Sequence, residues 1–259
     1  MNWPLVTPLQ HFFRTSPQPC PYLEGRTERK IITELPGSFE RILASAVDPG
    51  AGAPLPGSVA LYSDLSRAGF RRSHRYAYRP ACPSCTACVP VRIPVARYRS
   101  HRSGRRLEQL NADLTAGVLP ATAEALHFET FSDYVRSRHG DSDMASMSFA
   151  DYRTMIEDSP VDTVLVTLTD PFGGLAGACL TDILDDGLSA VYSFYRTETP
   201  QRSLGTYLVM ALLALARARQ LPYVYLGYWI GESRKMAYKT RFRPLEALGA
   251  EGWVDLDPE

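Results

Sequence analysis

The chain of 259 residues carries 28 basic and 28 acidic side chains, and its hydrophobic content of 45% is ordinary for a globular protein with a sizeable core. The longest apolar uncharged run, residues 204–216, is too short to span a bilayer, and residues 1–13 lack the basic and apolar regions of a signal peptide. We therefore expect a cytoplasmic protein that does not act in a membrane and whose cysteines are reduced.

The first third of the chain is interrupted by prolines and contains two predicted short strands, at residues 30–34 and 89–95. Residues 105–114 form a predicted helix, which leads into a predicted linker at residues 115–120. We accordingly divide the chain into a smaller, irregular N-terminal domain, residues 1–115, and a C-terminal domain, residues 116–259.

Residues 67–106 contain eleven Arg and no Asp or Glu, so about two fifths of the basic charge (11 of 28) lies in this block. Cys82, Cys85 and Cys88 lie inside it. A positive field beside a cysteine knuckle is typical of a surface that faces nucleic acid. The alternative is a solvated Arg-rich face.

The C-terminal part has regular periodicity, with a capping box at Ser148 and Asp151. His139 marks a helix end, and Cys179 is expected in the core. The last strand–helix–strand unit is a predicted βαβ unit. The predicted elements are helices at residues 121–139 and 148–158, a hairpin of strands at 161–169 and 175–183, a strand at 189–196, a helix at 204–220 and a strand at 223–226.

The turn before the apolar helix contains Arg202, Gly205 and Tyr207. A meander, a strand and a helix that begins near a glycine resemble the N-acetyltransferase-like (GNAT) layout, in which the helix N-terminus holds the pyrophosphate of coenzyme A. Arg202 and Gly205 match the usual motif, but Tyr207 stands where Gly or Ala is usual and would crowd a pyrophosphate. The turn therefore indicates an α/β GNAT-like acyltransferase domain and argues against coenzyme A as donor.

Aromatic and basic residues alternate between residues 225 and 244. Aromatic faces can stack on bases while cations hold phosphates, a combination that suits a single-stranded nucleic-acid end. Tyr225 and Phe242 are expected in the core. Lys235 and Lys239, one turn apart on one face, are expected at a functional surface.

Four motifs, taken together, resemble bacterial aminoacyl-tRNA–protein transferases of the aspartate/glutamate leucyltransferase group, which are related to the eukaryotic arginyl-tRNA–protein transferases. The motifs are Cys20-Pro-Tyr-Leu-x-x-Arg26-Thr-Glu28-Arg29, Gly69-Phe-Arg-Arg-Ser73, Tyr78-Arg-Pro-x-Cys82-x-x-Cys85-x-x-Cys88-x-Pro-Val-Arg92, and Tyr225-Leu-Gly-Tyr-Trp229 with Ser233-x-Lys235-Met-x-Tyr238-Lys239-x-x-Phe242-x-Pro244.

The resemblance implies transfer of leucine from leucyl-tRNA to the α-amine of a protein or peptide that begins with Asp or Glu, which marks the product for degradation by the N-degron pathway. It also implies an N-terminal domain bearing the cysteines, packed on a GNAT-like domain.

Because an aminoacyl-tRNA ester is already activated, the reaction needs no covalent nucleophile. It needs a positioned amine, a donor to the developing oxyanion and a clamp for the acceptor carboxylate. The planar fork of Arg matches a carboxylate, so Arg26, Arg29 and Arg79 are the clamp candidates. The catalytic candidates are Glu28, Lys235 and Tyr238. The candidates for binding aminoacyl-tRNA are Arg71, Arg72, Arg92, Tyr195, Arg202, Gly205, Tyr228, Trp229, Ser233, Lys235 and Lys239.

Cys20, Cys82, Cys85 and Cys88 supply four thiols, which suit zinc or an iron–sulfur cluster. The alternative is a set of reduced, half-buried thiols. The transfer chemistry itself requires no cofactor.

Three other functions stay open: an arginyl-tRNA–protein transferase with the same acceptor, a coenzyme-A-dependent N-acetyltransferase, and a non-catalytic zinc-containing RNA-binding module. An acidic donor pocket would suit an arginyl group, and an apolar one a leucyl group.

Overall fold

Fourteen strands and five α-helices lie in the part of the chain that the computed structural model describes, residues 10–37, 56–140 and 142–256. The strands are β1 (Phe13–Arg14), β2 (Gln18–Pro19), β3 (Thr27–Glu28), β4 (Lys30–Glu34), β5 (Arg71–Ser73), β6 (Tyr76–Pro80), β7 (Val89–Pro94), β8 (Thr115–Pro120), β9 (Thr163–Thr169), β10 (Leu175–Leu184), β11 (Gly187–Tyr195), β12 (Tyr223–Trp229), β13 (Glu246–Gly249) and β14 (Gly252–Asp255). The helices are α1 (Pro56–Arg67), α2 (Arg102–Leu110), α3 (Ala125–His139), α4 (Phe149–Glu157) and α5 (Leu204–Ala218). Three 3₁₀ segments lie at Asp143–Ser146, Pro200–Arg202 and Arg234–Arg241.

The strands form an eight-stranded sheet in the order β14-β13-β7-β12-β11-β10-β9-β8, a four-stranded sheet in the order β1-β4-β6-β5, and a small β2–β3 pair. In the large sheet β11 and β12 are parallel and α5 joins them, whereas the other neighbouring strands are antiparallel. This arrangement confirms the predicted α/β class and the predicted meander, helix and parallel strand.

The predicted hairpin, βαβ unit and helices are confirmed, with ends shifted by a few residues. Ser148 and Asp151 form the predicted capping box. The predicted linker at residues 115–120 is wrong, because these residues form β8, which pairs antiparallel with β9. All but one of the β8 residues are exposed, so the edge strand lacks the alternation by which a strand is recognised in a sequence.

The predicted domain boundary at residue 115 does not separate the two sheets, because strands from both sides of it belong to the large sheet. Strand β7, from the first half of the chain, lies between β13 and β12 in that sheet. The two-domain division therefore stays a prediction.

The core lies on both faces of the large sheet. Helix α5 buries Leu208, Leu212 and Leu213 on one face, whereas α3 and α4 bury Phe131 and Tyr152 on the other. Cys179, Tyr225 and Phe242 are buried, as predicted. Burial of these apolar side chains is the main favourable contribution to folding.

A buried ion pair joins the four-stranded sheet to the large sheet. Arg72 on β5 donates from Nε and Nη2 to the carboxylate of Asp182 on β10, at 2.8 and 2.7 Å, and neither side chain is exposed. Thr163 on β9 also donates to Asp182, at 2.8 Å, and Nη1 of Arg72 donates to the carbonyl of His74. Both charges are therefore fully hydrogen-bonded where water cannot reach them.

We expect Arg72→Met to lower the free energy of unfolding by about 3–5 kcal/mol, because it leaves the Asp182 carboxylate buried without its partner. Urea denaturation measures the change. Arg136→Met is the control, since Arg136 and Asp133 form an exposed pair on α3 that is worth about 0.5 kcal/mol. Equal losses for the two variants would contradict the assignment.

Candidate functional site

The parallel strands β11 and β12 separate along their length. They pair only where Gly187, Leu188 and Ser189 face Tyr223, Val224 and Tyr225. Beyond this point β11 continues to Tyr195 beside β10, while β12 continues to Trp229 beside β7. We call the gap between the diverging strands the split. Backbone acceptors facing a split need donors from elsewhere, because an unpaired buried carbonyl is costly.

The guanidinium of Arg71 lies in the split. Its Nη2 donates to the carbonyls of Ala190 and Val191 on β11, both at 2.9 Å. On the β12 side, Gly227 has φ +74°, and a Cβ at that position would collide with the Arg71 guanidinium. Glycine is therefore required at residue 227 both for its backbone conformation and for the room it leaves to Arg71.

The ammonium of Lys239 provides the donor on the other side of the split. Lys239 is buried, and its Nζ donates to the carbonyl of Tyr228 on β12. Burial and the nearby charge of Arg71 lower the pKa of Lys239 from its ordinary value of 10.5 to about 7. A fraction of Lys239 is therefore neutral near physiological pH.

Lys235 does not share this environment. We expected the two lysines on one face, as in an α-helix, but Arg234–Arg241 is a 3₁₀ segment, in which residues four apart point in different directions. Lys235 is exposed, and its charge acts with burial to lower the pKa of His139 at the end of α3.

Tyrosine side chains from three elements surround the open end of the split. The rings of Tyr134 on α3 and Tyr195 on β11 have centroids 4.8 Å apart, and Tyr192 contacts Tyr134 at 6.5 Å. Tyr238 is half-buried, and burial raises its pKa to about 12, with Arg71 and Tyr195 among the charges near it. Burial also raises the pKa values of Tyr134 and Tyr192. These phenols stay protonated at neutral pH and can donate hydrogen bonds.

The ring of Tyr195 also packs against Gly205 in the first turn of α5. A Cβ at Gly205 would lie 2.7 Å from this ring and 3.1 Å from its hydroxyl. Arg202, in the preceding turn, is held by neighbours rather than open to a ligand: its Nε donates to Asn111 at 2.9 Å, and its Nη2 pairs with Asp113. Gly205, the glycine of the GNAT-like turn, is therefore in contact with the side chain of Tyr195.

The four-stranded sheet closes the split from the side of β12. Tyr228 is buried, and its hydroxyl contacts the carbonyls of Gly69 and Tyr78, at 3.0 and 3.1 Å. Tyr22 lies near Arg71 and Tyr78, and burial raises its pKa to about 12. Residues predicted from separate motifs thus meet around Arg71.

The three clamp candidates lie on or beside the four-stranded sheet. Arg79 on β6 is exposed and donates from Nη1 to the carbonyl of Ala68 at 2.9 Å. Arg26 lies 3.4 Å from the sulfur of Cys85 and 4.0 Å from Glu232. Arg29 borders the cysteines, because its backbone N–H lies 3.4 Å from the sulfur of Cys82. Glu28, the carboxylate candidate, pairs with Lys30 at 2.8 Å.

The four cysteines of the N-terminal part lie near one another. Burial raises the pKa of Cys88 to about 11, and the charges of Cys20, Cys82 and Cys85 act in the same direction. At Cys85 the backbone N–H of Ala87 and the guanidinium of Arg26 lower the thiol pKa. Among the described residues, no three His, Cys, Asp or Glu side chains approach closely enough to share a metal ion.

Two arginines among the candidates for binding aminoacyl-tRNA are buried and paired with carboxylates of the protein itself. Arg72 belongs to the buried ion pair with Asp182, and Arg92 pairs with Glu246 at 2.8 Å while stacking 3.5 Å from the ring centroid of Tyr223. Trp229 is half-buried at the end of β12, next to Gly231. Ser233 begins the 3₁₀ segment, where its carbonyl accepts from Met236.

Sequence reasoning missed three residues of the site, Tyr134, Tyr192 and Gly227. Tyr134 lies on the apolar face of a predicted helix and Tyr192 in a predicted strand, so both are typical of core positions. Gly227 follows the predicted strand at residues 223–226 but lies inside β12 in the structure, where a glycine indicates a close backbone approach.

We expect the stability difference between the wild type and Lys239→Met to grow in favour of the wild type as pH rises from about 7 towards 10.5. In this window the unfolded chain binds the Lys239 proton and the folded chain does not, so the slope approaches about 1.4 kcal/mol per pH unit. Urea titrations at several pH values measure it. The exposed Lys235→Met is the matched control and should show no such slope, and a flat difference for Lys239→Met would disprove the burial argument.

No helix among the described residues has the length and apolar character needed to cross a membrane.

Comparisons with known proteins agree with the sequence motifs. Two family models match this chain: "Arginine-tRNA-protein transferase, N terminus" over residues 18–106 and "Arginine-tRNA-protein transferase, C terminus" over residues 126–249.

An aspartate/glutamate leucyltransferase of Paramagnetospirillum magneticum is 51% identical over 257 residues, which cover 99% of this chain and 98% of the relative. One of Rhodospirillum rubrum is 50% identical over 247 residues, covering 95% and 93%. The crystal structure of FemX aligns with a TM-score of 0.43 at 9% identity, covering 84% of this chain and 79% of FemX. Two family models and two relatives of near-equal length thus agree, and the chain belongs to the aspartate/glutamate leucyltransferase family of aminoacyl-tRNA–protein transferases.

Proposed function

We propose that this protein transfers a leucyl group from leucyl-tRNA to the α-amine of proteins that begin with Asp or Glu, and so marks them for degradation. The proposal is supported by membership of the family and by the geometry of the split. The observation that carries it is the contact between Tyr195 and Gly205.

The Tyr195 contact separates an aminoacyl-tRNA donor from a coenzyme A donor. Helix N-termini bind phosphates through exposed N–H groups. Here the ring of Tyr195 lies 2.7 Å from where a Cβ of Gly205 would be, so a group that approached Gly205 from this side would meet the ring. A donor that presents only an acyl group to the split has no such conflict.

The charges in the split favour a leucyl over an arginyl donor. Arg71 is a cation and Lys239, with a pKa of about 7, is partly protonated, so both disfavour a guanidinium. Asp182, a nearby carboxylate, is already paired with Arg72. The remaining surfaces are the tyrosine rings of the open end, which suit an apolar side chain.

The reaction proceeds by attack of the neutral α-amine on the ester carbonyl. The C–N bond forms, the C–O bond to the terminal ribose breaks, and the amine proton ends on the ribose hydroxyl. Tyr238 is the catalytic candidate that lies near Arg71 and Tyr195, and its protonated phenol can donate to the developing oxyanion. Glu28 is engaged by Lys30 and Lys235 faces solvent, so we give neither a role at the reacting carbon.

The acceptor carboxylate is held by Arg79. Its guanidinium is exposed and uses Nη1 for the carbonyl of Ala68, which leaves its other donors for a ligand. Arg79 also lies close enough to Tyr228 to influence that phenol, so it borders the wall of the split. Arg26, by contrast, is engaged at Cys85.

The proposed transfer step requires no metal ion. Cys85 contacts Arg26 and Cys82 contacts Arg29, and Cys20 and Cys88 lie near these two thiols.

The donor is tested by incubating the protein with separately charged radiolabelled leucyl-tRNA or arginyl-tRNA and a peptide beginning with Asp. We expect label to reach the peptide from leucyl-tRNA only, and a peptide beginning with Ala to stay unlabelled. Transfer from arginyl-tRNA alone would contradict the assignment of the split. Acetylation of the peptide by acetyl-coenzyme A would contradict the role of Tyr195, and tRNA binding without any transfer would indicate an RNA-binding module.

We expect Arg79→Ala to raise KM for the Asp peptide at least about tenfold, the cost of one lost charge-assisted hydrogen-bond pair, while the affinity for leucyl-tRNA is unchanged. Steady-state transfer and tRNA binding measure the two effects. Arg14→Ala, which removes an exposed arginine from β1, is the control and should leave both values unchanged. Loss of tRNA binding by Arg79→Ala would disprove the clamp.

A further inference from the structure

The folded structure separates the eleven arginines of residues 67–106 into two groups, those engaged by other segments of the protein and those exposed on and before α2. Seven of the eleven arginines are engaged by carboxylates or by backbone carbonyls of other segments. These are Arg67, Arg71, Arg72, Arg75, Arg79, Arg92 and Arg97. Most of the positive charge that the sequence concentrates here is therefore used inside the molecule.

The other four arginines, Arg99, Arg102, Arg105 and Arg106, are exposed on α2 and the turn before it. Arg99 and Arg105 donate only to neighbouring backbone carbonyls, those of Ala96, Tyr98 and Ser100. Within the described ranges none of the four makes an ion pair with a carboxylate. Their charges are available to an external partner.

Helix α2 is held in place by its opposite side. A Cβ at Gly104 would lie 3.6 Å from Met210 of α5, and the half-buried Leu107 packs against the core. Arg217, exposed near the end of α5, donates to the carbonyl of Tyr98 at 3.3 Å and so lies beside Arg99. We call Arg99, Arg102, Arg105, Arg106 and Arg217 the α2 basic face.

The α2 basic face leads towards the split. At the end of α2, Asn111 donates from Nδ2 to the carbonyl of Arg202 at 3.0 Å, and its Oδ1 accepts from Arg202 Nε at 2.9 Å. Arg202 lies two residues before the start of α5, whose first turn contacts Tyr195 at Gly205. A nucleic acid whose 3′ end lies at Tyr195 would thus run over Arg202 and along α2.

We propose that the α2 basic face binds the phosphate backbone of the tRNA donor outside the terminal nucleotides. This inference rests on the proposed function. Arginines without carboxylate partners release counterions when they meet phosphates, and they do so independently of base sequence. The face carries one acidic residue on the helix, Glu108, whose charge is felt by Tyr98 and Tyr207. The face therefore provides affinity for tRNA, and the split provides the chemistry.

The test is a triple variant, Arg102→Gln, Arg105→Gln and Arg106→Gln. Gln preserves helix propensity, and α2 has no buried residues, so folding should be kept. We expect the affinity for uncharged tRNA to fall at least about tenfold, and the salt dependence of binding between about 50 and 200 mM KCl to lose about two to three units of slope. KM for leucyl-tRNA should rise while kcat and KM for the Asp peptide stay unchanged.

The matched control is Arg136→Gln, Arg138→Gln and Arg153→Gln, which removes the same charge from exposed positions on α3 and α4. It should bind tRNA with the affinity and slope of the wild type. Wild-type binding by the α2 variant, equal losses in both variants, or a rise in KM for the peptide instead would overturn the inference. A wild type that binds tRNA but transfers nothing would refute the proposed function and leave this comparison intact.

Discussion

The separation of β11 from β12 is the constraint on which the rest of the site depends. Two parallel strands that part inside a protein leave backbone carbonyls facing a gap, and these carbonyls need donors. Arg71 serves β11 and Lys239 serves β12, each from a segment outside the pair. Arg71 is a cation and Lys239 is partly protonated at neutral pH, so the same residues that hold the split open also make it positive.

The need for a donor to β11 explains why the four-stranded sheet packs firmly against the large sheet. Arg71 comes from the four-stranded sheet, which must be held against β10 and β12 with little freedom. The buried pair of Arg72 and Asp182 and the contacts of the Tyr228 hydroxyl supply that attachment. A buried pair of this kind is weak evidence for net stability, since desolvation of both charges offsets their attraction. Its effect here is to position the neighbouring residue, Arg71.

The choice of donor at the open end of the split depends on the groups that this end excludes as much as on the groups that it attracts. Tyr195 packs against Gly205 in the first turn of α5, and the positive charge of the split disfavours a basic acyl group. Specificity of this type comes from what the site rejects. The exposed arginines on α2 therefore have a different role from the arginines that are paired within the protein, although both groups come from one block of sequence.

The sequence by itself determined helices α2 to α5, the hairpin, the βαβ unit and the family, because periodicity, capping and motif spacing are local properties; α1 was not predicted. It failed at β8, whose edge position removes the alternation, and at Tyr134 and Tyr192, which have the pattern of core residues. Only the tertiary structure decided which arginines are internal, because their partners lie far along the chain: Asp182 is 110 residues from Arg72, and Glu246 is 154 from Arg92. It also decided that Lys239 is buried and Lys235 exposed, since a 3₁₀ segment turns residues four apart away from each other. Charge pairing and burial depend on neighbours in space, and no local pattern contains them.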